Sequence, residues 1–418
     1  GAWQPRLGSS LADGIPLRPG AQRQAARAVA EAAVSAAGAA AGAAPSGSER
    51  SAGGLAVRRR ASPGTNTFLA LVFLLSSGGN KIFLRLLLVI AAPYTYALGL
   101  FTNLMYVVTF GIHVAVGAMR RSPGVAPSMR FVFSLASGAG EAAASPPRLT
   151  GGGCIVLAGL CESMAFVMLP FFAARLPGTL VPVMAQGLLL FSVLFSTVLL
   201  GRRYDTLQMF GVAIVVAGVG VCTLQNLSGA ALASAKASTA AGVLRDAIGL
   251  FGAYAFIAMS LSLKELAFGR YSRRPDADGE EPELRGEVVN FATAVWQGLG
   301  LLCCWPLVSR SVAVKFGPPS AGYFGSAVTA LAGAAPLLAA YLAVNLTNTV
   351  ATTSVLKRLS AVTILLTNVL NVPLVSLFFC LDLPLLGAAP FRWSFVAGLA
   401  VIISGLLTYN HRSLRKSS

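Results

Sequence analysis

The chain has 418 residues, of which 55% are hydrophobic and 11% are charged, and its mean hydropathy is +0.71. A soluble protein of this length needs a more polar surface, so the composition predicts a protein embedded in a lipid bilayer. The formal net charge of +17 does not indicate a nucleic-acid partner, because the 32 Lys and Arg residues are scattered between apolar runs and form no basic stripe.

The first 64 residues differ in composition from the rest of the chain. They contain eight Arg and three acidic residues, are rich in Ala, Ser and Gly, and include no apolar run long enough for a secretory signal. We interpret residues 1–64 as a disordered leader of the transit-peptide type, with a generic disordered tail as the alternative.

Ten apolar segments follow, each long enough to cross the roughly 30 Å hydrocarbon core of a bilayer as a helix. Their continuous apolarity favours helices over barrel strands, in which apolar and polar residues alternate. An even number of spans places both termini on the same side of the membrane. The predicted spans are 66–88, 94–118, 151–174, 178–200, 205–225, 243–263, 287–308, 333–355, 359–380 and 393–410.

Positive charges in the connecting segments predict the orientation of the spans. Beyond residue 64, 16 Lys and Arg residues fall on the side of the termini, with Lys264 counted among them, and six fall on the opposite side. We therefore expect both termini to face the cytosol, or the equivalent compartment of an organelle envelope.

Glycines at equal spacing mark the fifth and tenth spans. Gly211 and Gly218 are seven residues apart, as are Gly398 and Gly405, and small residues at this spacing line one helix face and allow close packing. The likeness of the two halves predicts an all-α membrane protein with ten transmembrane helices in two inverted five-helix repeats. The predicted parts are the leader 1–64, a first repeat 65–225, a linker 226–242, a second repeat 243–410 and a basic tail 411–418.

The sequence NKIFLR places Asn80, Lys81 and Arg85 inside the first span. A charge at the centre of a membrane helix costs about 2.5–3.5 kcal/mol unless it faces water, a partner or a cavity. Lys81 and Arg85 are four residues apart and share a helix face, so all three residues are candidates for substrate binding. The alternative is that the span ends early and the two cations extend to the membrane interface.

Glu162 lies about eleven residues from either end of the third span, too deep for its carboxylate to reach the interface. It is a candidate to bind a substrate ammonium or to carry a coupling proton, and the structural alternative is an ion pair with Lys81. Gln186, Asn345 and Asn348 add amide groups to the fourth and eighth spans, where they either line a hydrated cavity or only bond to neighbouring helices.

Sequence signals of catalysis are absent. The two histidines have no partner motif, the chain has no glycine-rich phosphate loop, and the six cysteines lack the paired spacing of a zinc site. We expect no enzymatic activity, no cofactor and no metal.

Several motifs, taken together and in order, resemble the chloroquine-resistance-transporter-like family of the drug/metabolite transporter superfamily. The resemblance covers about residues 66 to 410 and implies ten helices in two inverted repeats, with helices one to four and six to nine around a central cavity of alternating access. The motifs are NKIF, LAGLCES, LGRRY, LSLKE, LKRLSAV and LPLLG. The cavity residues implied by position are Asn80, Lys81, Glu162, Gln186 and Asn345.

Plastid members of this family are associated with glutathione and gamma-glutamylcysteine, and the transit-type leader makes the chain more similar to them than to parasite members. The resemblance therefore implies transport of these small thiol peptides across a plastid envelope. The alternative is a proton-coupled exporter of peptides, amino acids or cationic drugs in a vacuole-like membrane. A sugar-phosphate exchanger would need more intramembrane cations, and a receptor or scaffold would move no solute.

Unlike many family members, the chain has no cysteines in the loop between helices seven and eight, so disulfides cannot brace that loop.

Overall fold

The computed structural model describes residues 63–122, 124–134, 149–173, 185, 187–227, 240–272, 283–316, 322–358, 361–378 and 393–417. Nearly all of the predicted leader, most of the predicted linker, and Gln186 lie outside these residues. Every regular element within them is helical, which confirms an all-α fold for the described part of the chain.

The α-helices are numbered in chain order, and a short 3-10 turn, Ala92–Tyr94, joins the first two. They are α1 (Pro63–Ala91), α2 (Thr95–Met119), α3 (Val125–Phe133), α4 (Gly151–Ala173), α5 (Gly187–Leu200), α6 (Thr206–Leu227), α7 (Ala240–Tyr271), α8 (Gly286–Phe316), α9 (Tyr323–Gly333), α10 (Ala335–Arg358), α11 (Ala361–Val369), α12 (Asn371–Phe378) and α13 (Trp393–Ser417). Helix α13 thus continues through most of the predicted basic tail.

Five of the described helices contain a stretch long and apolar enough to cross a membrane, and α9 and α10, bent by 91°, qualify together as a sixth. The five stretches are Phe68–Leu87, Thr95–Met119, Gly151–Leu169, Leu244–Tyr271 and Gly286–Pro306. Large apolar side chains on these helices are exposed, including Leu75 at 64% and Leu104 at 58%, as expected where lipid replaces water as the solvent. The protein is therefore a multi-pass membrane protein.

The other predicted spans coincide with shorter or broken helices. Helices α5, α6 and α13 contain apolar stretches of fewer than 18 residues. The predicted ninth span is divided at Leu370 into α11 and α12. The break is consistent with the sequence, because residue 373 is a proline and has no N–H to donate to the carbonyl of Val369. The described helices do not by themselves establish a ten-span arrangement with inverted repeats.

The segment between the predicted seventh and eighth spans is largely helical, although we expected a loop. Helix α8 continues to Phe316, and α9 occupies most of the rest. The ring of Tyr323 at the start of α9 lies 5.7 Å from the rings of both Tyr94 and Trp305, and 5.2 Å from that of Phe324. Packed aromatic rings thus hold this segment against the 3-10 turn between α1 and α2 and against the middle of α8.

The glycines of the fifth and tenth spans face one another, as their spacing predicts. A Cβ atom on Gly211 would lie 2.9 Å from the carbonyl oxygen of Gly405, and one on Gly405 would lie 2.9 Å from the carbonyl oxygen of Gly211. A Cβ atom on Gly218 would lie 3.1 Å from the carbonyl oxygen of Gly398. The backbones of α6 and α13 are therefore in direct contact, which confirms the predicted close packing of these helices.

Contacts between antiparallel helices define two ends of the bundle. At one of them α1 and α4 begin, and α2, α7 and α10 end. We call it the terminus end. Around this end a single continuous core takes buried residues from every described helix except α9 and α12, among them Phe131, Phe268, Leu284 and Leu356. At the opposite end the buried apolar residues of the described chain form three smaller, separate clusters. The bundle is packed more continuously at the terminus end.

Candidate functional site

Lys81 lies on the face of α1 that packs against α11. Its Nζ donates a hydrogen bond of 3.0 Å to Asn368 Oδ1, and Ser77 Oγ, one helical turn earlier, donates to the same oxygen at 2.8 Å. Asn371 Nδ2 donates to this oxygen as well, at 3.2 Å. Helix α1 comes this close because residue 78 is glycine: a Cβ atom on Gly78 would lie 2.9 Å from Asn371 Oδ1.

Lys81 has no carboxylate partner among the described residues. The structure describes the side chains of three lysines, and two of them, Lys264 and Lys357, form ion pairs with Glu162 and Glu283. Lys81 instead contacts a neutral amide. An ammonium inside a membrane helix is costly, so one that keeps its charge uncompensated by the protein is a functional-site candidate.

Asn80 and Arg85 differ in their surroundings. Asn80 Oδ1 is buried and has no hydrogen-bond partner among the described residues, a situation that costs about 1–3 kcal/mol unless water or a ligand supplies a donor. The Arg85 side chain is exposed, and the described residues offer it no hydrogen bond or ion pair. Asn80 therefore lies next to Lys81 with an unsatisfied acceptor, whereas Arg85 makes no polar contact with the described residues.

Glu162 of α4 forms an ion pair with α7. Its Oε1 accepts hydrogen bonds from Lys264 Nζ at 2.6 Å and from Ser260 Oγ at 2.7 Å. The Glu162 side chain is 25% exposed and that of Lys264 is 12% exposed. The alternative in which Glu162 pairs with Lys81 is therefore wrong. The assignment of Lys264 to a loop is also wrong, because α7 continues to Tyr271.

The same arrangement of side chains thus occurs twice. In each case a serine and a lysine four residues apart share a helix face and donate to one oxygen of a neighbouring helix. The acceptor is a neutral amide in the first case and a carboxylate in the second. We call them the α1 constellation, formed by Ser77, Lys81 and Asn368, and the α7 constellation, formed by Ser260, Lys264 and Glu162.

Tyr106 of α2 forms hydrogen bonds with two side chains of α10. Tyr106 donates a hydrogen bond of 2.6 Å to Asn345 Oδ1 and accepts one of 2.9 Å from Thr349. Asn345 Nδ2 donates in turn to the hydroxyl of Tyr341 at 3.0 Å, so both ends of this buried amide are engaged.

Asn348, the next predicted site residue on α10, makes a weaker contact. Its Oδ1 lies 3.5 Å from Ser76 Oγ of α1, a long distance for a hydrogen bond. Gln186 lies outside the described residues. Side chains from α1, α2, α4, α7, α10 and α11 therefore form polar contacts between helices inside the bundle. We call these side chains, together with Asn80, the polar cluster: Ser76, Ser77, Asn80, Lys81, Tyr106, Glu162, Ser260, Lys264, Asn345, Asn348, Thr349 and Asn368.

A second buried ion pair lies at the terminus end. Arg202, in the connection between α5 and α6, contacts Glu265 Oε1 at 2.5 Å, and Glu265 Oε2 accepts a hydrogen bond from the backbone N–H of Ala361 at the start of α11. Burial disfavours the charged guanidinium and lowers the pKa of Arg202, but the Glu265 carboxylate together with Tyr204 and Tyr409 outweighs this effect and raises the pKa above its ordinary value. This pair ties the connection between α5 and α6 to α7 and α11, where the continuous core is located.

Sequence reasoning missed Lys264 and Asn368 as members of the polar cluster. Lys264 was excluded because the predicted sixth span ended at residue 263, although the apolar pattern continues through Leu266, Ala267 and Phe268. Asn368 was visible as a polar residue of the ninth span but could not be separated from Asn371 by sequence alone.

Comparisons with known proteins give a family model and three curated relatives. Residues 300–409 match the family model described as CRT-like, chloroquine-resistance transporter-like. Over these residues the chain is similar to the CRT-like family. The matched residues include Asn345, Asn348 and Asn368.

Three curated relatives of the chain come from Arabidopsis thaliana. "Protein CLT2, chloroplastic" is 31% identical over 248 residues, which are 57% of this chain and 55% of the relative. "Protein CLT1, chloroplastic" is 25% identical over 341 residues, which are 79% of this chain and 70% of the relative. "Protein CLT3, chloroplastic" is 26% identical over 265 residues, which are 61% of this chain and 56% of the relative. The chain thus spans little more than half the length of two of these relatives.

Proposed function

We propose that this protein is a secondary transporter of small thiol peptides, chiefly glutathione and gamma-glutamylcysteine, across a plastid envelope by alternating access. The observation that carries the proposal is Lys81, an intramembrane ammonium whose partner among the described residues is a neutral amide. Such a group is suited to a carboxylate-bearing solute. The chloroplastic names of the three relatives and the transit-type leader support the location.

The polar cluster offers complementary chemistry for glutathione, which has two carboxylates, one ammonium and two amide bonds. In the proposal Lys81 receives one carboxylate, and Asn80 and Asn348 bond the amide groups. Glu162 Oε1 already accepts hydrogen bonds from Lys264 and Ser260. In the proposal Oε2 accepts a hydrogen bond from the substrate ammonium or binds a coupling proton. Gln186 and Asn345 complete the proposed site, with Asn345 held in place by two tyrosines.

Helix packing supports the proposed two inverted repeats of five spans. In such an arrangement α1 corresponds to α7, α4 to α10 and α6 to α13. The contact of α4 with α7 then corresponds to that of α10 with α1, and the contact of α6 with α13 corresponds to itself. All of these helix pairs pack extensively. The continuous core at the terminus end, facing separate clusters at the other end, fits a state closed on the side of the termini. Alternating access then requires the terminus end to part.

Uptake into liposomes tests the proposal. Purified protein should take up labelled glutathione and gamma-glutamylcysteine saturably, and a dipeptide, a triose phosphate and an organic cation poorly. Lys81→Ala should weaken the affinity for glutathione more than that for its diamide, because only glutathione has free carboxylates. Uptake of the organic cation instead, driven by a pH gradient, would contradict the proposal and favour the vacuolar exporter. A tagged protein should be located at the plastid envelope and not at the vacuolar membrane.

A further inference from the structure

The α1 constellation is a site with a fixed orientation of the Asn368 amide. An amide oxygen accepts hydrogen bonds and an amide nitrogen donates them, so the three donors around Asn368 Oδ1 identify which terminal atom is the oxygen. Asn368 Nδ2 is therefore the terminal atom that does not contact Lys81, Ser77 or Asn371. It has no hydrogen-bond partner among the described residues, so two N–H donors are available for a ligand.

The α7 constellation provides an internal comparison for the charge of this site. In α7 the serine and lysine donate to a carboxylate, so the lysine charge is neutralised at 2.6 Å. In α1 an equivalent serine and lysine donate to an amide, so the lysine is held in place by an acceptor that does not neutralise its charge. The difference between the two acceptors, and not the position of the lysine, decides whether the site is electropositive.

Asn80 adds an acceptor next to this electropositive site. Successive residues of an α-helix are about 100° apart, which places Asn80 between the face of α1 that contacts α10 through Ser76 and the face that contacts α11 through Lys81. Its Oδ1 is buried and unpartnered among the described residues. Consider a ligand whose carboxylate binds Lys81 and whose N–H group is one carbon away from that carboxylate. This N–H group can donate a hydrogen bond to Asn80 Oδ1.

We propose that Asn368 determines the anion selectivity of the transport site by holding the Lys81 ammonium without neutralising it and by donating its own amide N–H to the same ligand carboxylate. The ligand class is a carboxylate with an adjacent N–H donor, as at the carboxyl end of a peptide. This inference rests on the proposed function, since it assigns a specificity residue to the same site.

Two substitutions at one position separate charge from packing. Asn368→Asp places a carboxylate against Lys81 and converts the α1 constellation into the α7 type, so the affinity for glutathione should fall at least tenfold while that for glutathione diethyl ester, which lacks both carboxylates, stays within twofold. Asn368→Leu removes the amide donor but adds no negative charge, so the affinity for glutathione should fall less than in Asn368→Asp, and glutathione should still be preferred over the diester. Thr347→Val, at an exposed position of α10 whose hydroxyl bonds only to its own helix, is the control.

If Asn368→Asp does not fold, Ser77→Asp places a carboxylate one helical turn from Lys81 and should give the same loss of selectivity. The inference is overturned if the carboxylate variant keeps the wild-type affinity for glutathione, or if the Asp and Leu variants lose both solutes equally. If the wild type does not take up glutathione, the proposed function fails. The inference about Asn368 is then tested by measuring whether N-acetylglycine and succinate stabilise the protein against thermal unfolding. Stabilisation that is lost in Asn368→Asp and kept in Asn368→Leu supports the inference, and a wild type stabilised by neither carboxylate overturns it.

Discussion

Removing one partner of the Glu162–Lys264 ion pair should destabilise the protein far more than removing both. The distance between the charged atoms is 2.6 Å, at which two unit charges attract by about 6 kcal/mol for an effective dielectric constant of about 20. Desolvation of the two ions offsets most of this attraction, and breaking a fully buried pair costs about 3–5 kcal/mol. Because the Glu162 side chain is 25% exposed, we expect Glu162→Gln to lower the free energy of unfolding by about 2–3 kcal/mol.

The double variant Glu162→Gln/Lys264→Gln leaves no charge without a partner. Two facing amides retain a hydrogen bond, so its free energy of unfolding should lie within about 1 kcal/mol of the wild-type value. Unfolding of the wild type, both single variants and the double variant in detergent micelles gives the coupling energy directly. Uptake of labelled glutathione should fall at least tenfold in both variants that lack the Glu162 carboxylate, whatever their stability.

Additive losses would refute this reasoning. If the double variant is destabilised by the sum of the two single losses, the charges do not interact at the distance found here, and Glu162 has another partner. If Glu162→Gln transports glutathione as the wild type does, the carboxylate is structural and has no part in the proposed site. Recovery of stability in the double variant without recovery of uptake would separate the structural role of the pair from its role in transport.

Three further substitutions test the packing and the limits of the site. Gly405→Ala should destabilise the protein by about 1–3 kcal/mol, because the added Cβ would lie 2.8 Å from the backbone nitrogen of Val215. The control Gly252→Ala should not destabilise it, because a Cβ there meets open space. Unfolding in detergent micelles compares the two variants. Glu265→Gln should lower the unfolding midpoint, because it leaves Arg202 buried without its carboxylate, and an unchanged midpoint would contradict a role for this pair in closing the terminus end. Arg85→Gln should leave the affinity for glutathione within twofold in uptake assays, and a tenfold loss would return Arg85 to the site.

The helices were predictable to the extent that lipid contact dictates composition. Long apolar runs mark α1, α2, α4, α7 and α8 because every residue on them meets either lipid or other helices. The spacing of Gly211 and Gly218 also predicted a packing face, since only small residues allow backbones to touch. The break at Leu370 and the helix α9 were missed, because both depend on proline positions and aromatic contacts that hydropathy does not register.

The depth of charged residues predicted the candidate site, but their partners could not be predicted. Burial depth along a helix is visible in sequence, so Lys81 and Glu162 stood out. Partner choice depends on which helices are neighbours, and α4 packs against α7 and not against the Lys81 face of α1. The sequence signal for Asn368 was equally hidden, because an asparagine that holds a lysine looks the same as one that bonds only to an adjacent helix.

The charges of the polar cluster favour a monoanionic solute over the alternatives. Lys81 and Lys264 contribute two positive charges and Glu162 one negative charge, so the described members of the two constellations leave one positive charge within the membrane. In the proposed function, glutathione, which at neutral pH has two carboxylates and one ammonium, is complementary to that charge and compensates it when it binds. A cationic drug would add to this cost, and a doubly charged phosphate would be only half compensated. Protonation of Glu162 would raise the charge of the site to two and shift its preference toward the phosphate, so uptake of triose phosphate should increase relative to that of glutathione in Glu162→Gln. An unchanged ratio in that variant would mean that the two constellations do not act on one solute.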